Sequence, residues 1–156
     1  MDPAKPLPEF QLRTLADEAF TLKDIRRKWS YVYITNNICN DDCQLNLVKM
    51  KNARLAQGGE AKRIRYYLVF NHRPEQQIVD ELAQAHPKMT ILYGSGAELQ
   101  TFLDAFKVTD DNNVLDFKRV YMVDPIGNYI MYYNNGFEAI GIMEDLKLLL
   151  KISQIG

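Results

Sequence analysis

The run Trp29-Ser-Tyr-Val-Tyr-Ile-Thr35 constrains the fold of this chain more than any other segment. It is aromatic and β-branched, lacks Gly and Pro, and breaks into polar Asn36-Asn37, which together predict a buried central strand. A helix follows almost at once. Asn40, Asp41 and Asp42 suit its cap and first turn, Leu45, Leu47, Val48, Met50 and Leu55 carry it forward, and Gly58-Gly59 stops it. The pattern then repeats as a strand at Ile64–Phe70, a helix over 75–85 before Pro87, a strand at Met89–Tyr93 and a helix over 97–106. Such alternation packs as βαβ units around a parallel sheet.

The last third changes rhythm. Two strand-like runs, 118–123 and 129–133, are separated only by Asp124-Pro-Ile-Gly-Asn128, which reads as a hairpin. Ile142, Leu146, Leu149 and Leu150 then fall at helical spacing and predict an amphipathic closing helix over 138–152. At the other end, Pro3, Pro6 and Pro8 keep residues 1–9 extended, as a tether. Residues 10–15 and 19–22 alternate weakly and read as a short hairpin. The expectation is one α/β domain over 10–156, with no internal repeat.

Charge and hydropathy exclude several classes of function. Nineteen Lys plus Arg against twenty Asp plus Glu leave a net charge of -1, so no global basic field is available to hold nucleic acid. The apolar runs are far short of the ~20 residues that span a bilayer. Residues 1–20 are interrupted by Asp2, Lys5, Glu9, Arg13, Asp17 and Glu18, so no secretory signal is written there. The chain is therefore expected to be cytosolic or to have lost an upstream export segment.

The two cysteines, Cys39 and Cys43, sit where the central strand turns into the next helix. Ligands and reactive groups collect at that edge of a parallel sheet. With both residues helical, their Cβ atoms would lie ~5–6 Å apart on one face, near disulfide reach. The helix dipole favours thiolate there, whereas Asp41 and Asp42 oppose a further negative charge. Two ordinary small buried side chains are the competing account.

The same order of elements, with two cysteines at the head of the first long helix, resembles a thioredoxin-like domain: a central mixed sheet flanked by helices, here with an N-terminal hairpin extension. More narrowly, the chain resembles the Sco/SenC family, which acts in assembling the copper site of cytochrome c oxidase. The resemblance is carried by Phe10-Gln-Leu, Phe20-Thr-Leu-Lys-Asp-Ile25, Lys28-Trp29, the C-x-x-x-C of Cys39 and Cys43, Val120-Tyr-Met-Val-Asp-Pro-Ile-Gly127 and Asp145-Leu-Lys-Leu-Leu149. It implies a periplasmic domain tethered by an N-terminal membrane helix upstream of the proline-rich arm. It also implies copper held by the two cysteines and a histidine nine residues before the hairpin proline. Counting back from Pro125 gives Asp116, so the histidine is absent. Two thiolates still suit Cu(I), whereas Cu(II) favours added nitrogen or oxygen ligands.

The remaining chemistry-bearing residues are less specific. His72 follows a strand whose end shares the cysteine edge, and Asp116 offers an oxygen; both are candidate third ligands, against plainer readings as a loop histidine and a solvated carboxylate. His86 beside Pro87 reads as a helix C-terminal cation. The strand tyrosines read as sheet packing, and Met50, Met89, Met122, Met131 and Met143 as core filling. Lys49, Lys51, Arg54, Lys62, Arg63 and Arg65 form a basic cluster, read as a solvated face or a dock for an acidic partner. Gly94-Ser-Gly96 reads as a turn.

Three functions follow. The first is a thiol-disulfide redox factor in oxidase assembly, with Cys39 attacking and Cys43 resolving, and the oxidase copper-site subunit or another thiol or copper protein as partner. The second is a Cu(I) metallochaperone using the same two cysteines. The third is a binding module whose cysteines form only a structural disulfide. A peroxidase reading fails because Thr35-Asn-Asn-Ile38 holds no proline ahead of Cys39.

Overall fold

The computed structural model describes residues 4–36, 38–107 and 118–153. Its strands are β1 (Lys5–Pro6), β2 (Gln11–Thr14), β3 (Ala19–Thr21), β4 (Trp29–Thr35), β5 (Ile64–Phe70), β6 (Met89–Tyr93), β7 (Val120–Val123) and β8 (Asn128–Tyr133). The helices are α1 (Leu22–Ile25), α2 (Asp41–Leu55), α3 (Gln76–Ala85), α4 (Gly96–Ala105) and α5 (Ala139–Ile152). The sheet runs β1-β8-β7-β4-β5-β6-β2-β3. β4, β5 and β6 are parallel, β7 and β8 antiparallel to what they border, so the sheet is mixed, as in a thioredoxin-like fold.

Side-chain alternation divides the core into two layers. On β4, Tyr31 and Tyr33 face a cluster with Leu47, Met50 and Ala53 of α2, Val79 and Leu82 of α3, and Ile142, Leu146 and Leu150 of α5. Val32 and Ile34 face the other side, with Leu99, Phe102 and Leu103 of α4 and Leu22 and Ile25 of α1. All seven residues of β4 are buried, as a strand covered on both faces must be. The strand tyrosines pack as expected: Tyr31, Tyr33, Tyr66, Tyr67, Tyr121 and Tyr129 are fully buried.

Within the proline-rich arm, Lys5 and Pro6 pair antiparallel with Tyr129 and Asn128. The Leu7 N–H then donates to the Gly127 carbonyl at 2.9 Å. The Gly94-Ser-Gly96 turn is close-packed, since a Cβ on Gly94 would meet Leu12 Cδ2 at 2.8 Å.

Four of the six cations of the basic cluster are tied to backbone oxygens rather than free on a solvated face, while Lys62 and Arg65 are exposed. Lys49 Nζ donates to the Phe137 carbonyl at 2.7 Å, Lys51 Nζ to Ala85 at 2.8 Å and Arg54 Nε to Ile64 at 2.8 Å. Arg63 holds the Leu150 and Ser153 carbonyls at the end of α5. These cations satisfy backbone oxygens that helix and strand ends leave open. A 3₁₀ segment, Gly58–Arg63, places Arg63 there in a stretch the sequence marks only as a helix stop.

Candidate functional site

The site forms where β4 ends. Asn36 turns the chain, its Oδ1 accepting from the Ile38 N–H at 3.0 Å. Asn40 caps α2, its Oδ1 accepting from the Cys43 N–H at 3.0 Å, and Gln44 Nε2 reaches back to donate to the Cys39 carbonyl at 3.1 Å. These bonds hold Cys39 just ahead of the helix and Cys43 in its first turn. The cap falls at Asn40 as the sequence suggests, so only Cys43 is helical: Cys39 precedes the extended cap residue, and a loop-to-helix pair brings the Cα atoms to 5.2 Å. The two sulfurs form a disulfide.

Accessibility separates the two sulfurs. Cys39 is 7% exposed and Cys43 1%. Cys39, unlike Cys43, lines a groove of about 170 Å³ between α2 and α3, with Ile38, Val48, Ile78 and Leu82 as apolar walls and Glu81 and His86 as titratable ones. Ile38 is itself 60% exposed beside the sulfur. Cys39 is thus the cysteine that meets the groove, while Cys43 lies in the first turn of α2, at the positive end of its dipole.

The carboxylates at the head of α2 are partly offset. Lys118 Nζ lies 2.8 Å from Asp42 Oδ2, and that hydrogen bond and charge hold the lysine pKa above its usual value. Behind the disulfide, Asn46 is buried and donates to the Tyr33 hydroxyl at 3.3 Å and to Asn135 Oδ1 at 3.0 Å. This ties α2 to β4 and to the end of the hairpin. Burial raises the Tyr33 pKa, a shift the Asn46 hydrogen bond opposes.

The other sequence candidates fare differently. His72 is exposed on the turn after β5 and does not line the groove. Asp116 lies outside the described residues. Among the described residues no three His, Cys, Asp or Glu side chains gather to hold a metal ion. His86 is corrected from a surface cation to a buried group, 3% exposed, with Nδ1 2.9 Å from the Tyr66 hydroxyl. Burial lowers its pKa, and Lys51 adds to that shift, so the neutral ring is favoured. The overlooked signal is spacing: Val79, Leu82 and His86 continue one helical face into the core. Lys118 was also missed, since it is 76 residues from Asp42.

Residues 29–153 match the family described as "Transmembrane-like, thioredoxin-like, C-terminal domain". The chain belongs to that family. This thioredoxin-like domain also shares its fold with solved Sco structures over nearly its whole length. Yeast Sco1 superposes with a TM-score of 0.80 at 18% identity, covering 98% of each chain. Copper-bound ScoI of Arabidopsis thaliana gives 0.76 at 18% identity, covering 94% of this chain and 98% of that one. BsSco, described with a disulfide switch and as a member of the Sco family of cytochrome c oxidase assembly proteins, gives 0.71 at 15% identity, covering 98% of each. The Sco resemblance written in the sequence is thus matched at the level of fold. Among curated proteins none matches the sequence. No helix of the described residues is long and apolar enough to cross a membrane.

Proposed function

We propose that this domain is a thiol-disulfide exchange factor acting on the copper-site cysteines of a respiratory terminal oxidase subunit, from a membrane-tethered position outside the cytoplasm. The observation that carries the reading is the Cys39–Cys43 disulfide at the head of α2, with Cys39 alone opening onto an apolar groove. The sequence resemblance to the Sco/SenC family supports this choice of partner and compartment.

The exchange balances with two electrons. A partner thiolate attacks Cys39 Sγ, the Cys39–Cys43 bond breaks and Cys43 leaves as a thiolate, forming a mixed disulfide. A second partner thiolate attacks the partner sulfur of that mixed disulfide and expels the Cys39 thiolate. The partner ends as a disulfide and this domain as a dithiol; the reverse sequence reduces a partner disulfide. Cu(I) carriage by the same pair needs the disulfide reduced to two thiolates.

The test combines a redox titration against glutathione with trapping by Cys43→Ser, using a peptide that carries an oxidase-type cysteine pair. Exchange predicts a reduction potential above about -300 mV and a mixed disulfide through Cys39. A potential below about -300 mV with no trapped species would reject exchange and leave a structural bridge. Anaerobic Cu(I) titration of the reduced protein, with Cys39→Ser alongside, separates metal carriage: stoichiometric copper lost in the variant would make copper the cargo.

A further inference from the structure

Five cations converge at the end of β4 opposite the disulfide. Lys23 lies on α1, Arg26, Arg27 and Lys28 form the link from α1 to β4, and Arg65 is the second residue of β5, in register with Ser30. With Asp24 they line a recess of about 480 Å³. Asp24, whose Oδ2 accepts from the Thr21 N–H at 2.8 Å and from the Thr21 hydroxyl at 3.3 Å, keeps its negative charge, so the lining sets five positive charges against one. None of the five cations makes an ion pair among the described residues.

The link is held in an unusual shape. Arg27 has φ +82°, a region that non-glycine residues seldom occupy, and its N–H donates to the Pro125 carbonyl at 2.8 Å. The β7–β8 turn packs against the neighbouring side chain: a Cβ on Gly127 would lie 3.3 Å from Arg26 Nε. Backbone in that region persists where its surroundings impose it, and it clusters at ligand clamps. The surroundings here impose three consecutive cations on the rim of one recess. The chain as a whole carries a net charge of -1, so the concentration is local. Like charges held together repel until an anion bridges them, and the planar guanidinium fork matches the oxygens of a phosphate.

We propose that this recess binds a phosphate group, carried by a soluble anion or by a phospholipid headgroup. The site is independent of the exchange reaction. A seven-residue strand separates it from the cysteines, about 20 Å at ordinary strand rise, so a bound anion leaves the groove open.

The test titrates the wild-type protein with inorganic pyrophosphate and, separately, with phosphatidylcholine vesicles with and without phosphatidylglycerol, at low ionic strength and at about 0.15 M. The triple variant Arg26→Gln/Arg27→Gln/Lys28→Gln is compared with Lys62→Gln/Lys88→Gln/Lys151→Gln, which removes the same charge elsewhere. Arg65→Gln, on a strand rather than on the strained link, serves if the first triple fails to fold. The recess triple should lose at least about tenfold in affinity, Arg65→Gln about fivefold and the control less than about twofold. Pyrophosphate binding without vesicle binding identifies a soluble source, and vesicle binding that requires phosphatidylglycerol identifies a headgroup. Binding of neither, or equal loss in the control triple, overturns the proposal.

Discussion

The two ends of β4 carry different chemistry and are built by different means. At its C-terminal end the disulfide is enclosed: both sulfurs are under a tenth exposed, and the supporting side chains, Asn46 and Leu47, are buried on α2. At its N-terminal end five cations stand in an open recess whose form is set by backbone, through Arg27 and the β7–β8 turn. The difference teaches where each function is vulnerable. Chemistry at the sulfur end depends on packing, so loss of stability and loss of geometry should coincide there. Charge at the other end should be removable with little effect on the fold.

The sharpest way to break this contrast is to compare the two ends by thermal unfolding. Leu47→Ala should cost about 2–5 kcal/mol by deleting buried methyl groups beneath the disulfide. At about 2–4 °C per kcal/mol for a domain of this size, that is a fall of roughly 4–20 °C in Tm. The triple recess variant should move Tm by less than about 2 °C; a fall matching that of Leu47→Ala would mean that the basic end is part of the core's support. Opening the disulfide comes next. Releasing so short a loop should cost about 2 kcal/mol, read as a lower Tm on reduction that Cys39→Ser/Cys43→Ser reproduces without reductant. Asn46→Ala should follow at about 1–2 kcal/mol, since it leaves the Tyr33 hydroxyl without its donor.

Smaller effects sharpen the comparison around the groove. The folded-state pKa of His86 lies below its ordinary value, so the unfolded chain binds the extra proton first. Stability should therefore be unaffected above about pH 6.5 and decline as pH falls below it, with His86→Gln flattening the decline in a denaturant series. The smallest effect should be electrostatic. Asp42→Asn leaves Lys118 unpaired near the cysteines and should raise the reduction potential, while Lys118→Gln leaves Asp42 unpaired and should lower it. Equal signs for the two in a glutathione equilibrium would show that the pair does not act on the sulfurs.

Local pattern alone made much of this fold legible. Ile64–Phe70 and Met89–Tyr93 are strands at the limits expected, because β-branched and aromatic runs bounded by polar residues have few other uses in a buried sheet. The place of the cysteine pair between strand and helix was legible, as was the cap that falls between the two residues. What escaped depends on distant segments meeting. Lys118 reaches Asp42 across the sheet, and Arg65 joins Arg26 to Lys28 only because β5 pairs with β4. Lys49, Lys51, Arg54 and Arg63 misled for the same reason: counted along the chain they belong to a patch, whereas in space they reach backbone oxygens on separate elements.

The short pairing of Lys5 and Pro6 with β8 bears on how copies of this domain meet one another. A sheet margin with open amide and carbonyl groups is a template on which a second chain can add a strand. The arm occupies that position on β8, and Pro6, having no N–H, offers the next molecule an incomplete ladder. Lys5 and Pro6 thus serve as a selvedge, keeping neighbouring copies from zipping together at high local concentration.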